Sequence, residues 1–411
     1  MHRTAFSDQS PGQVVRTEVK GSRVVGTKTE HFEQVGLAFV PDPLPPKLSD
    51  QQRREFLGSL IDEIGSATEG LARLDGAARG LKNPHLLLYP LMLRDAQLSS
   101  KIENTIATAE EVVLAEAGRE NLRDEAREVA NYVASLNHGV KSDLPLCNRL
   151  IREMHKALMS GVRGDEKRPG EFRNIQVMIG KKGQTLESAR FVPPPPGQHL
   201  RSCLDAFERF LNSTTHGLPQ IVAIALAHYQ FECIHPFEDG NGRIGRAIAA
   251  LSLCKEPRPV LEKPFVYVSA YFERHQDEYY ERLLRVSTDG DWMGWVRFFL
   301  NALAEEAADT LKRINRVLDL HAELMAIVRV PKASAVVPQL IDGLFTRPWT
   351  NAAHASKLLG IKPQAAQRHI DKLAQAGIIE EVTGGTYNRL WLFKKLLQII
   401  EEKNTHEERG R

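Results

Sequence analysis

Cysteine is scarce in this chain. Four stand in 411 residues, Cys147, Cys203, Cys233 and Cys254, and no two form a CxxC pair. A disulfide framework or a zinc knuckle is therefore not expected, and buried free thiols are. A surplus of charge is lacking too: 54 basic residues face 52 acidic ones, for a net charge of +2. So even a balance gives no chain-wide pull toward nucleic acid; only a local patch could supply one. No run of residues approaches the roughly 18–20 apolar positions of a membrane span. Behind the basic residue of Met1–Ser7 there is no apolar stretch, so no signal peptide is expected. These absences point to the cytoplasm. What remains is an ordinary globular composition, 42% hydrophobic and 26% charged, in a chain long enough for two or three cores.

The chain divides by pattern, without an internal repeat. Residues 1–48 hold alternating stretches such as Gln13–Val19, read as one or two strands, and end in the breaker Pro41-Asp42-Pro43-Leu44-Pro45-Pro46. Ser49-Asp50 offers a helix N-cap, and apolar residues then recur at helical spacing through Phe56, Leu60 and Ile64. Helices dominate to about Leu158. From Phe172 to Val192 the reading is a β-hairpin, with Ile175, Val177 and Ile179 alternating with Gln176 and Met178 before a turn at Lys181-Lys182-Gly183. Pro193–Pro196 serves as a rigid connector, and helices resume from Gly197 to about Val330. Thr350–Leu359 and Pro363–Ala376 read as two helices around a turn. Strands at Ile378–Thr383 and Thr386–Phe393 follow, and the sum is winged-helix order. The expected domains are 1–48, 49–130, 131–330 and 331–411.

One segment carries chemistry: His235-Pro236-Phe237-Glu238-Asp239-Gly240-Asn241-Gly242-Arg243-Ile244-Gly245-Arg246. Nearly all-apolar stretches flank it, so a polar, glycine-rich loop is clamped between two buried helices. Amides of a loop entering a helix N-terminus favour a phosphate. Arg243 and Arg246, three residues apart, share a helical face and can reach further phosphate oxygens. Asp239 is a hard oxygen ligand suited to magnesium that also binds phosphates. His235 alone in the segment titrates near neutrality and is the candidate general base. Each part alone is more often structural; their conjunction points to phosphoryl or nucleotidyl transfer. Zinc hydrolysis is excluded, because His228 and His235 stand seven apart with no HExxH.

The segment resembles the Fic family motif, His-Pro-Phe-x-Asp-Gly-Asn-Gly-Arg-x-x-Arg, at every fixed position. The resemblance implies a mostly α protein: the Fic helical fold with a β-hairpin flap, an N-terminal helical region before it and a winged-helix domain after it. It implies transfer of AMP from ATP to a Ser, Thr or Tyr hydroxyl of a target protein, or of the chain itself, with pyrophosphate leaving. By position, His235 would deprotonate the hydroxyl, Phe237 anchor the loop and Asp239 hold Mg2+. Gly240, Asn241 and Gly242 would cradle the phosphates, with Arg243 and Arg246 on the outer ones. The flap residues Ile175, Gln176, Val177, Met178 and Ile179 would dock the target as an added strand. Tyr271, Tyr279 and Tyr280 with Trp295 resemble, more loosely, the region that completes the nucleotide site.

Many members of that family carry an inhibitory helix with Ser/Thr-x-x-x-Glu-Gly/Asn, and Ser99-Ser100-Lys101-Ile102-Glu103-Asn104 fits it. The pattern implies that Glu103 pairs with Arg246 in the place of the γ-phosphate, so that the resting chain is mostly off. The same scaffold can remove AMP instead, with a glutamate such as Glu103 positioning water, and some relatives transfer UMP, phosphocholine or phosphate. A DNA-binding regulator is the rival of another class. Gln364, Gln367, Arg368 and Lys372 suit DNA, but Asp371 lies beside them. From Thr350 onward ten Lys/Arg against seven Asp/Glu is a thin basic surplus. Protein contact is as good a reading, and an exposed helix or this module could support a homodimer.

Overall fold

The computed structural model describes residues 5–25, 28–79, 83–119, 122–162, 167–180, 185–328, 336–384 and 389–402. It opens on an antiparallel hairpin of β1 (Gly12–Val25) and β2 (Lys28–Pro41), paired from Gly12 opposite Pro41 to Val25 opposite Lys28. The alternation legible over residues 13–19 thus marks one end of a longer ribbon. Ser49 caps α1 (Asp50–Gly58) as expected: its hydroxyl accepts from the Gln52 amide while the Gln52 side chain accepts from the Ser49 amide. There follow α2 (Ile61–Arg79), α3 (His85–Ile102), α4 (Ala109–Glu116), α5 (Asp124–Lys141) and α6 (Asn148–Met159). After the proline connector come α7 (Gln198–Leu211), α8 (Gln220–Ile234), α9 (Asn241–Ser252), α10 (Ser269–Arg274), α11 (Gln276–Asp289) and the long α12 (Trp292–Val328).

Helix α8 is the hub. All its residues except Gln220 and Glu232 are buried, against α2, α7, α9, α11, α12 and β2. Burying a large apolar side chain contributes about 1.5–3 kcal/mol, so a helix covered on all sides is fixed in position. Trp295 of α12 donates its indole N–H to Ala225 O at 2.8 Å and locks the two helices together. The loop between α8 and α9 therefore hangs from a rigid pair. The expected boundary at 130 falls inside α5, and that at 330 falls beside the end of α12.

The expected hairpin over residues 172–192 is not a regular one. Among the described residues a single bridge remains, Ile179 with Phe191, closed by two reciprocal amide–carbonyl bonds of 2.9 and 3.1 Å. Its turn, Lys181-Lys182-Gly183, lies outside the described residues. The expected alternation is also broken: Gln176 is buried, while Met178 on the same expected face and Ile175 on the other are exposed. Tertiary partners decide this. Thr17 of β1 donates to Gln176 Oε1 at 2.7 Å, and Gln176 Nε2 donates to Pro193 O at 2.9 Å. Carbonyls that a ladder would use are taken by side chains instead.

The C-terminal part comprises α13 (Val336–Thr346), β3 (Trp349–Thr350), α14 (Ala352–Leu359), α15 (Pro363–Gln375), β4 (Glu380–Glu381), β5 (Trp391–Leu392) and α16 (Lys394–Glu401). The strands order as β3-β5-β4, all antiparallel. Helix, turn, helix and two strands occur where the sequence places them, with two-residue strands; residues 385–388 of the turn are not among those described. The sequence reading had neither α13 nor α16. Both pack on α3 and α12, and α16 also meets α4, burying Leu396, Leu397 and Ile400.

Candidate active site

His235 ends α8 in a left-handed conformation, φ 49°, which turns the chain sharply into the loop. Its Nδ1 faces Glu232 O at 3.3 Å. A carbonyl only accepts, so the proton sits on Nδ1 and Nε2 keeps a free lone pair. Burial, with the Arg173 cation beside it, pushes the imidazole down to about 4, so it is neutral at physiological pH. Two residues on, Phe237 is fully buried and stacks on His155 with centroids 3.7 Å apart. Asn241 closes the loop on itself: its Oδ1 accepts from the Phe237 amide at 2.8 Å and its Nδ2 donates to Phe237 O at 2.9 Å. The Asn241 side chain is thereby used up as a brace, and only its backbone can face a phosphate.

Gly240 begins α9 with φ 74°, and Gly242 permits a close approach. A Cβ at Gly242 would stand 2.3 Å from Glu103 Oε1 and 2.9 Å from Arg246 Nη1. Arg246 is buried; its Nε donates to Ser99 Oγ at 2.8 Å, and its Nη2 donates to Ser99 O and to Glu103 Oε1, each at 2.9 Å. Burial pulls that guanidinium down, but the Glu103 carboxylate and neighbouring groups outweigh it and raise it overall. Glu103 sits at the C-terminal end of α3, followed by Asn104 at φ 61°. Arg243 is also buried, 3.5 Å from Glu128 Oε2 and 3.9 Å from Asp239 Oδ1, and its Nε has no hydrogen-bond partner among the described residues.

Asp239 is half-exposed, with Lys167 Nζ 2.8 Å from Oδ2 and the Gly240 amide donating to Oδ1 at 2.7 Å. Burial raises its carboxyl, and these cations and the amide outweigh that and leave it below the usual range. Among the described residues no group of three His, Cys, Asp or Glu gathers to hold a metal. Magnesium bound through substrate phosphates needs only one or two protein carboxylates, and the lone, ionised Asp239 fits that need.

Two residues that the sequence reading missed hold this loop from outside. Arg173 is buried and ends α8 like a cap: Nε donates to His235 O (2.8 Å), Nη2 to Pro194 O (2.7 Å) and Ile234 O (3.3 Å), and Nη1 to Ile175 O (3.1 Å). Burial pulls its guanidinium down to about 10. A cation at a helix C-terminus is favourable, and this one ties the segment at Ile175 to the His235 turn. His155 accepts from the Gly170 amide on Nδ1 at 2.9 Å and donates from Nε2 to Asp239 O at 3.1 Å. Arg173→Met leaves several buried carbonyls unpaired, at about 1–3 kcal/mol each. The expected loss is about 3 kcal/mol or more in urea unfolding.

Two domain models match this chain: residues 61–141 fit the Fic/DOC family N-terminal region, and residues 145–253 fit the Fic/DOC family itself. Residues 61–141 and 145–253 thus carry the likeness to the Fic/DOC family. The protein adenylyltransferase Fic of Drosophila grimshawi is 29% identical over 206 residues, covering 50% of this chain and 38% of that protein. That of Drosophila erecta is 28% identical over 257 residues, covering 61% and 46%. This chain thus spans less than half the length of these curated relatives. A Fic family protein from Desulfovibrio desulfuricans G20 shares the fold, with a TM-score of 0.54, 21% identity, and coverage of 85% of this chain and 98% of that one.

The aromatic expectations fare unevenly on this scaffold. Tyr279 is buried in the core, where its hydroxyl donates to His228 Nε2 at 2.9 Å and its ring stacks on Phe272. His228 in turn donates from Nδ1 to Gly245 O at 3.1 Å. The Tyr279 ring therefore offers a nucleotide no open face. Trp295 is likewise core. Tyr271 stacks on His275 at 4.2 Å and meets Phe298 edge-on. Tyr271 and Tyr280 are both half-buried and remain partly open; the Tyr280 hydroxyl is raised by burial and by the Glu103 charge nearby.

Proposed function

We propose that this Fic chain transfers AMP from ATP to a hydroxyl of a protein target, itself included, and that Glu103 restrains it. The observation that carries the reading is the pairing of a neutral base with a guarded anion cradle. His235 keeps Nε2 free for a hydroxyl proton, and Arg243 and Arg246 converge at the N-terminus of α9. Arg243 has a buried donor left over, and Arg246 already holds a carboxylate where a phosphate would pair. In the transfer, the hydroxyl oxygen attacks the α-phosphorus as His235 Nε2 takes its proton, and the bond to pyrophosphate breaks. Asp239 would hold magnesium, which offsets phosphate charge. The α9 amides and both arginines orient the triphosphate, and the exposed Ile175 and Met178 face a target segment.

Around this core we place the division into 1–48, 49–130, 131–330 and 331–411. No helix among the described residues is long and apolar enough to cross a membrane, and four free cysteines suit a cytoplasmic setting. The C-terminal element order supports a winged helix. Its α15 leaves Gln364, Arg368 and Lys372 exposed, but Gln367 donates to Asp371 at 2.7 Å. That favours protein contact over DNA; failure to retain DNA at low salt is the expected result.

Intact mass after incubation with ATP, UTP or CTP, for wild type and Glu103→Gly, tests the reaction. A gain of one AMP from ATP alone is expected, larger in the variant. No gain with any donor in either form overturns self-modification, and release of AMP from a modified protein is then the reading to pursue. The pH profile tests the base. With His235 held neutral down to about 4 by burial and Arg173, the rate should stay level as pH falls from neutrality and halve only near pH 4. Glu103 and Asp239 face the ring and raise it slightly, so Glu103→Gly moves the midpoint lower still. An unperturbed histidine would halve the rate near pH ~6.5, and that result would remove His235 from the role.

A further inference from the structure

Glu103 stands on a short loop, residues 103–108, between α3 and α4, and what holds that loop decides how firmly the carboxylate meets Arg246. Three ties come from the start of α11 and from the first turns of α5. Gln276 Nε2 donates to Ile102 O at 2.8 Å, Arg123 Nη2 to Ile106 O at 3.2 Å, and Thr105 Oγ1 to Glu128 Oε2 at 3.3 Å. The fourth comes from the far end of the chain. Glu401, in the last turn of α16, accepts through Oε1 from the Ala109 amide at 2.6 Å and from Gln97 Nε2 at 3.2 Å. Gln97 also donates to Ala107 O at 3.0 Å.

The placement of that carboxylate is specific. Ala109 is the first residue of α4, so its amide is one of the donors a helix start leaves unsatisfied, and a negative charge is favoured there. Gln97 lies two residues before Ser99, which holds Arg246. One carboxylate thus ties the start of α4 to α3, the two helices between which the Glu103 loop runs. Helix α16 is itself fixed from behind: Arg313 of α12 donates from Nη1 to Ile399 O at 3.0 Å and from Nη2 to Glu402 O at 2.8 Å. Arg316 pairs with Glu402 as well. Apolar contact continues the seam, with Leu87, Pro90 and Leu91 of α3 facing Ile399 and Ile400.

We propose that the C-terminal module is the second half of the brake: α16, through Glu401, holds the loop that presents Glu103 to Arg246, and undocking of α16 loosens it. This rests on the AMP-transfer reading for its functional consequence, but not for its structural one. The test therefore has two readouts on the full chain. Glu401→Ala changes an exposed side chain, and Glu401→Gln keeps an acceptor for the Ala109 amide. By hydrogen exchange, amides of residues 103–109 should exchange roughly fivefold faster in Glu401→Ala, as loss of one such bond predicts, and less so in Glu401→Gln. Unchanged exchange overturns the proposal. By AMP gain in intact mass, Glu401→Ala should run about three- to tenfold faster than wild type. The double variant Glu103→Gly/Glu401→Ala should run no faster than Glu103→Gly, since a removed brake cannot be loosened. Equal rates for Glu401→Ala and wild type, with Glu103→Gly active, overturn the link to the brake, as does a further gain in the double variant. Faster exchange with no AMP gain even in Glu103→Gly supports the docking and defeats the transfer reading.

Discussion

Glu103→Gly is expected to raise AMP incorporation by about 10² or more, the scale of the penalty for a misplaced reacting group. The carboxylate oxygen sits 2.9 Å from Arg246 Nη2 and only 2.3 Å from the point where a Cβ on Gly242 would be. It therefore lies directly on the first turn of α9, where a terminal phosphate would be bound. A triphosphate arriving with Glu103 in place meets a negative charge there and must seat its α-phosphate out of line for attack. Removing the side chain leaves Arg246 oriented, because Ser99 still takes its Nε and Nη2 through hydroxyl and carbonyl. The loop also keeps its form: Glu103 and Asn104 donate their amides to Ser100 O and Lys101 O at 3.0 and 2.9 Å. At a helix end a glycine costs about 1 kcal/mol at most. Purified variant and wild type, incubated with ATP and weighed intact, give the comparison, and a variant no faster than wild type removes Glu103 from control of the reaction.

The loop over residues 235–246 was legible because its parts are contiguous: twelve residues hold a histidine, an aspartate, glycines and two arginines, and two apolar helices fix them. Glu103 was legible only through its family pattern; nothing in its own neighbourhood says that it meets Arg246, 143 residues on. Arg173 and His155 were not legible at all. They act on backbone atoms of the loop, and a bond to a carbonyl leaves no mark on the type of the partner residue. The flap misled for a related reason. Alternation implies a regular strand, but Thr17, 159 residues away, turned Gln176 alone inward and left Met178 of the same expected face exposed. Tyr279 went wrong in its surroundings: an aromatic near a motif serves a nucleotide only if its face is open, and His228 and Phe272 close this one. The docking of α16 on α3 and α4 lay equally beyond reach, since a short amphipathic helix announces a buried face but not what it covers.

Replacing His235 removes the step that the free enzyme would otherwise perform, and the substitution must respect the backbone. His235 sits at φ 49°, a region that asparagine tolerates and alanine enters at a cost of roughly 1–2 kcal/mol. His235→Asn, made on Glu103→Gly so that the brake is absent, is accordingly the clean variant. The asparagine amide can donate toward Glu232 O as Nδ1 does, and Arg173 still holds the main chain through the carbonyl of residue 235. What it lacks is a lone pair basic enough to accept a hydroxyl proton. Loss of a general base costs about 10²–10⁴ in rate, so kcat for AMP transfer should fall by that factor. Nucleotide affinity should be unchanged, because Arg243, Arg246 and the α9 amides are untouched. Titration calorimetry with ATP reads the second quantity and intact mass the first. A variant that keeps more than about a tenth of the Glu103→Gly rate would show that the proton leaves by another route. A variant that loses ATP binding as well would show that His235 shapes the cradle rather than serving as its base.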